Sequence, residues 1–385
     1  MRITAVSYDR VAETLPDVQE LEADLRDYDV LICAAGFEDR ATHITERVRM
    51  SSASIATAII LDYDSNTEDN ARKRDELVTL VTDSANAVHI INDRGTEADF
   101  DSRLQTLLPS NARILFDVSA SSGTYLLRVM RALFGHARSH AVDVDIAYAS
   151  ALDYKPSHEE AEALIKRLDD GEATEGTTLG LDFDADENAH VIAPGDVRLE
   201  PVSESAVVIC GFNADRVAAS LDKIDTSFNI DKNHPDVKFI SGHPPRARDE
   251  WRYGVMNRIN GHRPSQKAST LHYQETLRHL EAAYAATEPR SRLTVLPFGS
   301  KMQSIAVALF AEAHSDVRVQ MLPPVSYGGA GYSHGVGETY LLSLGDLGRL
   351  SRTVRSINAL CIEEDEDKRP RTTAVTLTDP LGGVI

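Results

Sequence analysis

Cysteine is scarce in this chain. Cys33, Cys210 and Cys361 are the only three in 385 residues, and no two form a CxxC pair. That argues against a disulfide framework and against a thiolate zinc site. Long apolar runs are missing too: no stretch approaches the roughly 18 residues needed to span a bilayer. The opening MRITAVSYDRVAETLPDVQE lacks a basic region followed by an apolar run, so no signal peptide is expected and the expected location is cytoplasmic. Positive charge is in deficit, with 40 Lys and Arg against 60 Asp and Glu and a net charge of −20. A field of that sign repels bulk duplex DNA and anionic membrane, so neither is an expected partner. It leaves room for a small nucleotide, because backbone donors and one or two cations suffice to hold a phosphate.

What is present is ordinary for a globular protein: 42% hydrophobic and 26% charged residues. The acids are uneven. Eight fall between Asp169 and Asn188 with no Lys or Arg, and five follow in a row from Glu363 to Asp367. Both runs read as solvated linker or tail.

The chain repeats itself. Residues 29–41, DVLICAAGFEDRA, match residues 206–217, AVVICGFNADRV, with Gly36-Phe37 and Gly211-Phe212 offset by 175. Residues 112–134 match residues 292–310, pairing Gly123 with Gly299 and Phe134 with Phe310 at an offset of 176. Two matches at nearly one offset indicate a duplicated unit. Apolar, β-branched runs predict strands at 29–34, 57–62, 87–91, 112–117 and 143–149, then at 206–210, 237–241, 293–296 and 317–322. Amphipathic runs predict helices at 38–49, 67–82, 99–108, 123–137 and 158–168, then at 214–223, 247–259, 267–286 and 301–314. The expected fold is α/β: two tandem Rossmann-like units with mainly parallel sheets, related by a pseudo-twofold axis. The first unit covers 1–168, an acidic linker 169–203 with an extra strand pair at 178–183 and 189–193, the second unit 204–363, and a tail 364–385.

Such sheets bind ligands beyond the carboxyl ends of their strands. The loop Asp117-Val118-Ser119-Ala120-Ser121-Ser122-Gly123-Thr124 crowds four hydroxyls at a helix start, where unpaired N–H groups favour an anion. The plainer reading is a capped helix. Its counterpart, Gly299-Ser300-Lys301-Met302-Gln303, adds a lysine as a point charge, without a Walker A pattern. Gly36, Phe37 and Arg40 follow the first strand, as Gly211 and Phe212 do in the repeat, offering close approach, stacking and charge. The loop from Pro323 to Glu338 contributes Tyr327, Tyr332, Ser333, His334 and Glu338, and the segment 242–252 gathers Arg246, Arg248, Arg252 and the only tryptophan. Glu38, Asp117, His334 and Glu338 are the candidates for acid–base work, should the chain be an enzyme. Asp62-Tyr63-Asp64 reads as a turn, His136 and His140 as surface residues; no metal is expected and no particular cofactor follows.

The Asp117-to-Thr124 loop resembles the strand, Asp-x-Thr-Gly-Gly, helix signature of CRISPR-associated Rossmann-fold (CARF) sensors, with Ser121-Ser122 where those sensors have Gly-Gly. A single chain with two such units resembles the SAVED sensors, which look like fused CARF pairs. The resemblance implies a nucleotide or cyclic oligonucleotide recognised between the units, in prokaryotic antiphage defence, with the effector either a separate protein or the Rossmann-like units themselves. Two other readings stand beside it: an enzyme hydrolysing a nucleotide (a ring nuclease or glycosidic-bond hydrolase), and a scaffold subunit of a defence complex.

Overall fold

Continuous apolar runs form strands buried on both faces, and the runs with helical period form the layers that cover them. The computed structural model describes residues 11–22, 25–51, 53–63, 67–92, 96–170, 183–185, 190–193, 195, 203–231, 233–261, 263–288, 291–322, 324–327 and 332–362. In chain order the strands are β1 (Gln19–Glu20), β2 (Tyr28–Ala34), β3 (Ile55–Asp62), β4 (Ala85–Asn92), β5 (Asn111–Asp117), β6 (Ala141–Ala149), β7 (Asp153–Tyr154), β8 (Phe183–Ala185) and β9 (His190–Ala193). They continue as β10 (Ser203–Ile209), β11 (Val237–His243), β12 (Ser265–Ser269), β13 (Ser291–Pro297), β14 (Arg318–Met321), β15 (Pro324–Tyr327), β16 (Ser333–His334) and β17 (Thr339–Asp346). The helices are α1 (His43–Met50), α2 (Thr67–Thr82), α3 (Glu97–Thr106), α4 (Gly123–Ala137), α5 (His158–Asp169), α6 (Ala214–Asp222), α7 (Ser227–Ile230), α8 (Trp251–Ile259), α9 (Tyr273–Ala286), α10 (Lys301–Ala313) and α11 (Leu347–Ile362).

The fold is α/β and Rossmann-like, and the two units share one topology. The first sheet runs β4-β3-β2-β5-β6-β17-β1, the second β12-β11-β10-β13-β14-β9. In each, five parallel strands take the order third, second, first, fourth, fifth. Each then gains an antiparallel sixth strand beside the fifth: β17 beside β6, and β9 beside β14. The sixth strands are exchanged. A strand from the segment that follows the first unit's β6, β9, completes the second sheet, and β17, from the segment that follows the second unit's β14, completes the first. Helix α11 then returns against α4 and α10.

The helices that follow the fourth strand of each unit, α4 and α10, pack on one another. Both are apolar nearly all round, as helices buried between two sheets must be. Val129, Met130 and Leu133 of α4 and Ile305, Ala306 and Leu309 of α10 are fully buried in one core that runs through both units. The two halves are therefore a single packed body.

Several expectations need correction. Where the segments 178–183 and 189–193 are described, they do not pair with each other: β8 pairs with β15, and β9 pairs with β14. Residues 178–182 lie outside the described residues. The fifth strand of the second sheet leaves a row of unpaired backbone groups, and β9 satisfies it. Helix 267–286 begins only at Tyr273, because residues 265–269 form β12. That strand is an edge strand with exposed Gln266 and Lys267 and only Ala268 and Ser269 buried, so it lacks the apolar run that marks an inner strand. His136 is buried rather than on the surface, its Nε2 3.2 Å from the Pro109 carbonyl oxygen. Gly123 and Gly299 are not equivalent. Gly123 is the first residue of α4, after its N-cap Ser122, whereas Gly299 precedes Ser300, the N-cap of α10. The tail from 364 lies outside the described residues.

Candidate functional site

The strand order of the second sheet reverses between β10 and β13, and a cavity of about 310 Å³ opens there at the carboxyl ends of the strands. Its floor comes from the second unit: Gly211 and Phe212 after β10, Gly242 near the end of β11 and Pro244 to Arg246 after it, Thr270 and Leu271 after β12, Phe298 to Lys301 after β13. Its opposite wall comes from the first unit, with Arg40, Tyr148, Ser150, Tyr154 and Lys155. Tyr332, on the connection back to the first sheet, and Tyr340, on β17, complete it. The cavity thus lies between the two units.

The sequence-level candidates divide. Arg40, Gly211, Phe212, Arg246, Gly299, Ser300, Lys301, Gln303 and Tyr332 line the cavity. Gly36, Phe37, Asp117, Ser119, Ser121, Ser122, Thr124 and Ser333 are not among its lining residues. Tyr327 ends β15 opposite Phe183, and its side chain lies outside the described residues. Of the acid–base candidates, Glu38, Asp117, His334 and Glu338, none is a lining residue.

The first unit's own loop is closed by protein. Ser119 and Ser121 are fully buried. The Ser119 hydroxyl accepts the Ala149 N–H at 2.8 Å, and the Ser119 N–H donates to Asp117 Oδ1 at 2.9 Å. The Tyr63 hydroxyl donates to the Ala120 carbonyl (3.0 Å) and accepts the Ser122 N–H (2.6 Å). Met321, from the second unit, lies against Gly123 and meets the Thr124 hydroxyl at 3.6 Å. Burial pushes the Asp117 carboxyl up to about 7, against the hydrogen bonds from Ser119 and the charge of Arg40.

In the second unit the loop is also partly self-capped, but it leaves a cation. Ser300 and Gln303 form a capping box: Gln303 N–H to Ser300 Oγ at 3.2 Å, Ser300 N–H to Gln303 Oε1 at 2.9 Å. The Ser300 hydroxyl donates to the Thr270 carbonyl at 2.6 Å. Those groups hold the loop rather than a ligand. Gln303 is 1% exposed, and its Nε2 has no hydrogen-bond partner. Lys301 has no hydrogen-bond or ion-pair partner among the described residues. Burial pulls its ammonium down to about 8, opposed by the charge of Glu38 and reinforced by that of Arg40.

The remaining cations are held in place. Arg40 is buried, its guanidinium 2.6 Å from Glu38, and it donates to the Ala149 carbonyl (3.0 Å) and the Tyr154 hydroxyl (2.9 Å). Its counterpart Arg216 donates to the Leu322 carbonyl at 2.7 Å and lies 4.7 Å over the Phe298 ring. Each arginine thus binds the carbonyl just at the end of its own unit's fifth strand. Arg246 pairs with Glu338 and donates to Ser150 at 2.9 Å. Arg252 lies 3.6 Å from Asp249 and 4.6 Å over Trp251, and Lys155 pairs with Glu160. Ser333 donates to Glu38 at 2.6 Å, Gly335 N–H to Asp39 at 2.9 Å, and exposed His334 lies 3.5 Å from Asp39. The Tyr332–Glu338 segment therefore clasps the first unit.

Thr270, Leu271 and Tyr340 were missed as wall residues, whereas Tyr148 and Tyr154 belong to a strand-end segment that the sequence marks as a candidate. Thr270 and Leu271 follow the unassigned strand β12, although Ser269, which accepts the Leu271 and His272 N–H groups, is a capping signal readable in the sequence. Tyr340 lies on β17, whose YLLSL alternation is a strand pattern. Among the described residues no three His, Cys, Asp or Glu side chains gather to hold a metal ion, and no helix is long and apolar enough to cross a membrane. No protein-family model matches the chain, and no curated protein matches it.

Proposed function

We propose that this chain binds a nucleotide-type phosphate ligand in the cavity between its units and serves as a sensor in prokaryotic antiphage defence, acting on a separate effector. The observation that carries the binding is a local reversal of charge. The cavity is lined by Arg40, Lys155, Arg216, Arg246, Arg252 and Lys301 and by one carboxylate, Asp249, in a chain of net charge −20. Phe212, Phe298 and the tyrosines beside them supply faces for a base. Position agrees with chemistry, since the cavity occupies the point where strand order reverses.

The sensing role is supported by the origin of the walls. Both units contribute side chains, so a bound ligand bridges them and stabilises the arrangement it contacts. The defence setting rests on the resemblance of the Asp117–Thr124 loop and of the paired layout to CARF and SAVED sensors. Isothermal titration of the full chain against mononucleotides and against linear and cyclic oligonucleotides tests the binding. Saturation by at least one of them is expected, and it should raise stability by about 2.7 kcal/mol at a hundredfold excess over Kd. A folded chain that binds none of them refutes the reading. Phage challenge of cells carrying the wild-type or the Lys301→Ala gene with its neighbours tests the setting.

A further inference from the structure

Resting on that reading, we infer that the ligand is a single-phosphate mononucleotide, seated asymmetrically against the second unit with its phosphate at Lys301, and not a twofold-symmetric ring shared by both units. Three observations lead there. The two loops that a symmetric ligand would need are not alike. In the second unit, Gly299, Ser300 and Lys301 face the cavity. In the first, Tyr63 occupies both the Ala120 carbonyl and the Ser122 N–H, and Met321 covers Gly123 at the start of α4. Two equivalent phosphates would find an unpartnered cation, Lys301, at one loop and protein filling the other.

Charge sets the number of phosphates. Five of the six cations lining the cavity are already held: Arg40 by Glu38, Lys155 by Glu160, Arg246 by Glu338 and Arg252 by Asp249, and Arg216 by the Leu322 carbonyl. Lys301 has no carboxylate within ion-pair distance among the described residues, and Glu38, the acid that acts on it, is held by Arg40 and by Ser333. Lys301 is half-buried, and a partly desolvated charge without a partner favours an anion beside it, so the site suits about one added anion and not several. Gln303, buried with an unbonded Nε2, adds a neutral donor beside it. Size agrees: about 310 Å³ stands at the low end of the roughly 300–1,000 Å³ of small-molecule pockets.

The test is isothermal titration of the full chain with the four nucleoside 5′-monophosphates, 3′,5′-cyclic AMP and GMP, ATP, a linear dinucleotide, cyclic di- and tetranucleotides, and inorganic phosphate. A mononucleotide should bind one to one and tighter than any other probe. Lys301→Ala should weaken it at least tenfold and Lys301→Arg much less, with folding checked by circular dichroism. Thr124→Ala, in the first unit's loop, should leave it within twofold. A cyclic oligonucleotide that binds tighter and loses affinity in Thr124→Ala overturns the asymmetry while leaving nucleotide binding intact. A dinucleotide that binds tighter with the same lysine dependence makes the ligand a strand end and overturns the inference. Phosphate binding as tight as any nucleotide reduces the site to an anion hole and overturns it too. No binding by any probe to folded protein removes this inference and the function it rests on.

Discussion

Gly211 lies so close to Phe298 that a Cβ built on it would stand 2.7 Å from the Phe298 carbonyl oxygen. Gly36 has the same relation to Ala120, at 2.8 Å. In both units the first loop crosses the fourth-strand loop at van der Waals contact, and only glycine fits between them. The neighbour is backbone, which cannot rotate away as a side chain would. Gly211→Ala should therefore destabilise the chain by about 1–3 kcal/mol. Denaturant melts measure this; an unchanged midpoint would show that the two loops separate freely.

Lys301 links binding to pH. Its folded pKa, about 8, is below the ordinary 10.5, so between those values the unfolded chain holds the extra proton. Stability of the empty protein should therefore rise with pH through that window, and below it the penalty is complete. Lys301→Met should raise the melting temperature at pH 7 while weakening ligand binding by about 1.5–3 kcal/mol. Wild-type affinity should fall as pH rises past about 8. Affinity that is flat from pH 6 to 9 would separate the lysine from the ligand.

Arg40 and Glu38 form a buried ion pair, with side chains 3% and 9% exposed. Arg40→Met leaves Glu38 buried without its cation and should cost about 3–5 kcal/mol. Adding Glu38→Gln should recover much of that loss. A double-mutant cycle by urea unfolding reads the coupling, and additive losses would refute it.

Asp117 has the opposite linkage to the usual carboxylate. Burial raises its pKa from 3.8 to about 7, so the folded state holds the proton that the unfolded state has already lost. Its contribution to stability is complete below about pH 4 and is lost as pH rises to 7 and beyond. Asp117→Asn keeps the acceptor for the Ser119 N–H and removes the titration. The variant should gain stability relative to wild type at pH 8 compared with pH 5. Parallel pH profiles for the two proteins would place the carboxyl in water.

Exchange of the sixth strands makes the halves interdependent. Without β17, β6 becomes an exposed edge, and without β9, β14 does. Separation also bares α4 and α10, where each buried Leu or Phe accounts for about 1.5–3 kcal/mol. Fragments divided between Gly195 and Ser203 should each be poorly soluble alone and should copurify as a folded complex when coexpressed. Two independently folded, non-associating fragments would contradict the exchange.

Much of the framework was legible. Runs such as VLIC and AVVI have no alternation because both faces of an inner parallel strand are covered, and their spacing to the helical runs reveals Rossmann-like order. The edge strand β12 was not legible, since Ser265, Gln266 and Lys267 need no apolar run where one side is open. The candidate site was half legible. Lys301, Arg246, Phe212 and Tyr332 are conspicuous residue types in loops, and they line the cavity. The Ser119–Thr124 loop has the same outward chemistry, but its donors are used internally.

The sequence by itself determined the duplication, the α/β alternation and the strand ends at which side chains gather, because hydrophobic period and glycine placement are local properties. Only the tertiary structure decided which of the two loops stays open. That choice depends on Met321, distant in sequence, covering Gly123, while Lys301 lines the cavity. It also decided that the sixth strands change places, because β-pairing follows which edge is free in space and not which strand comes next in the chain.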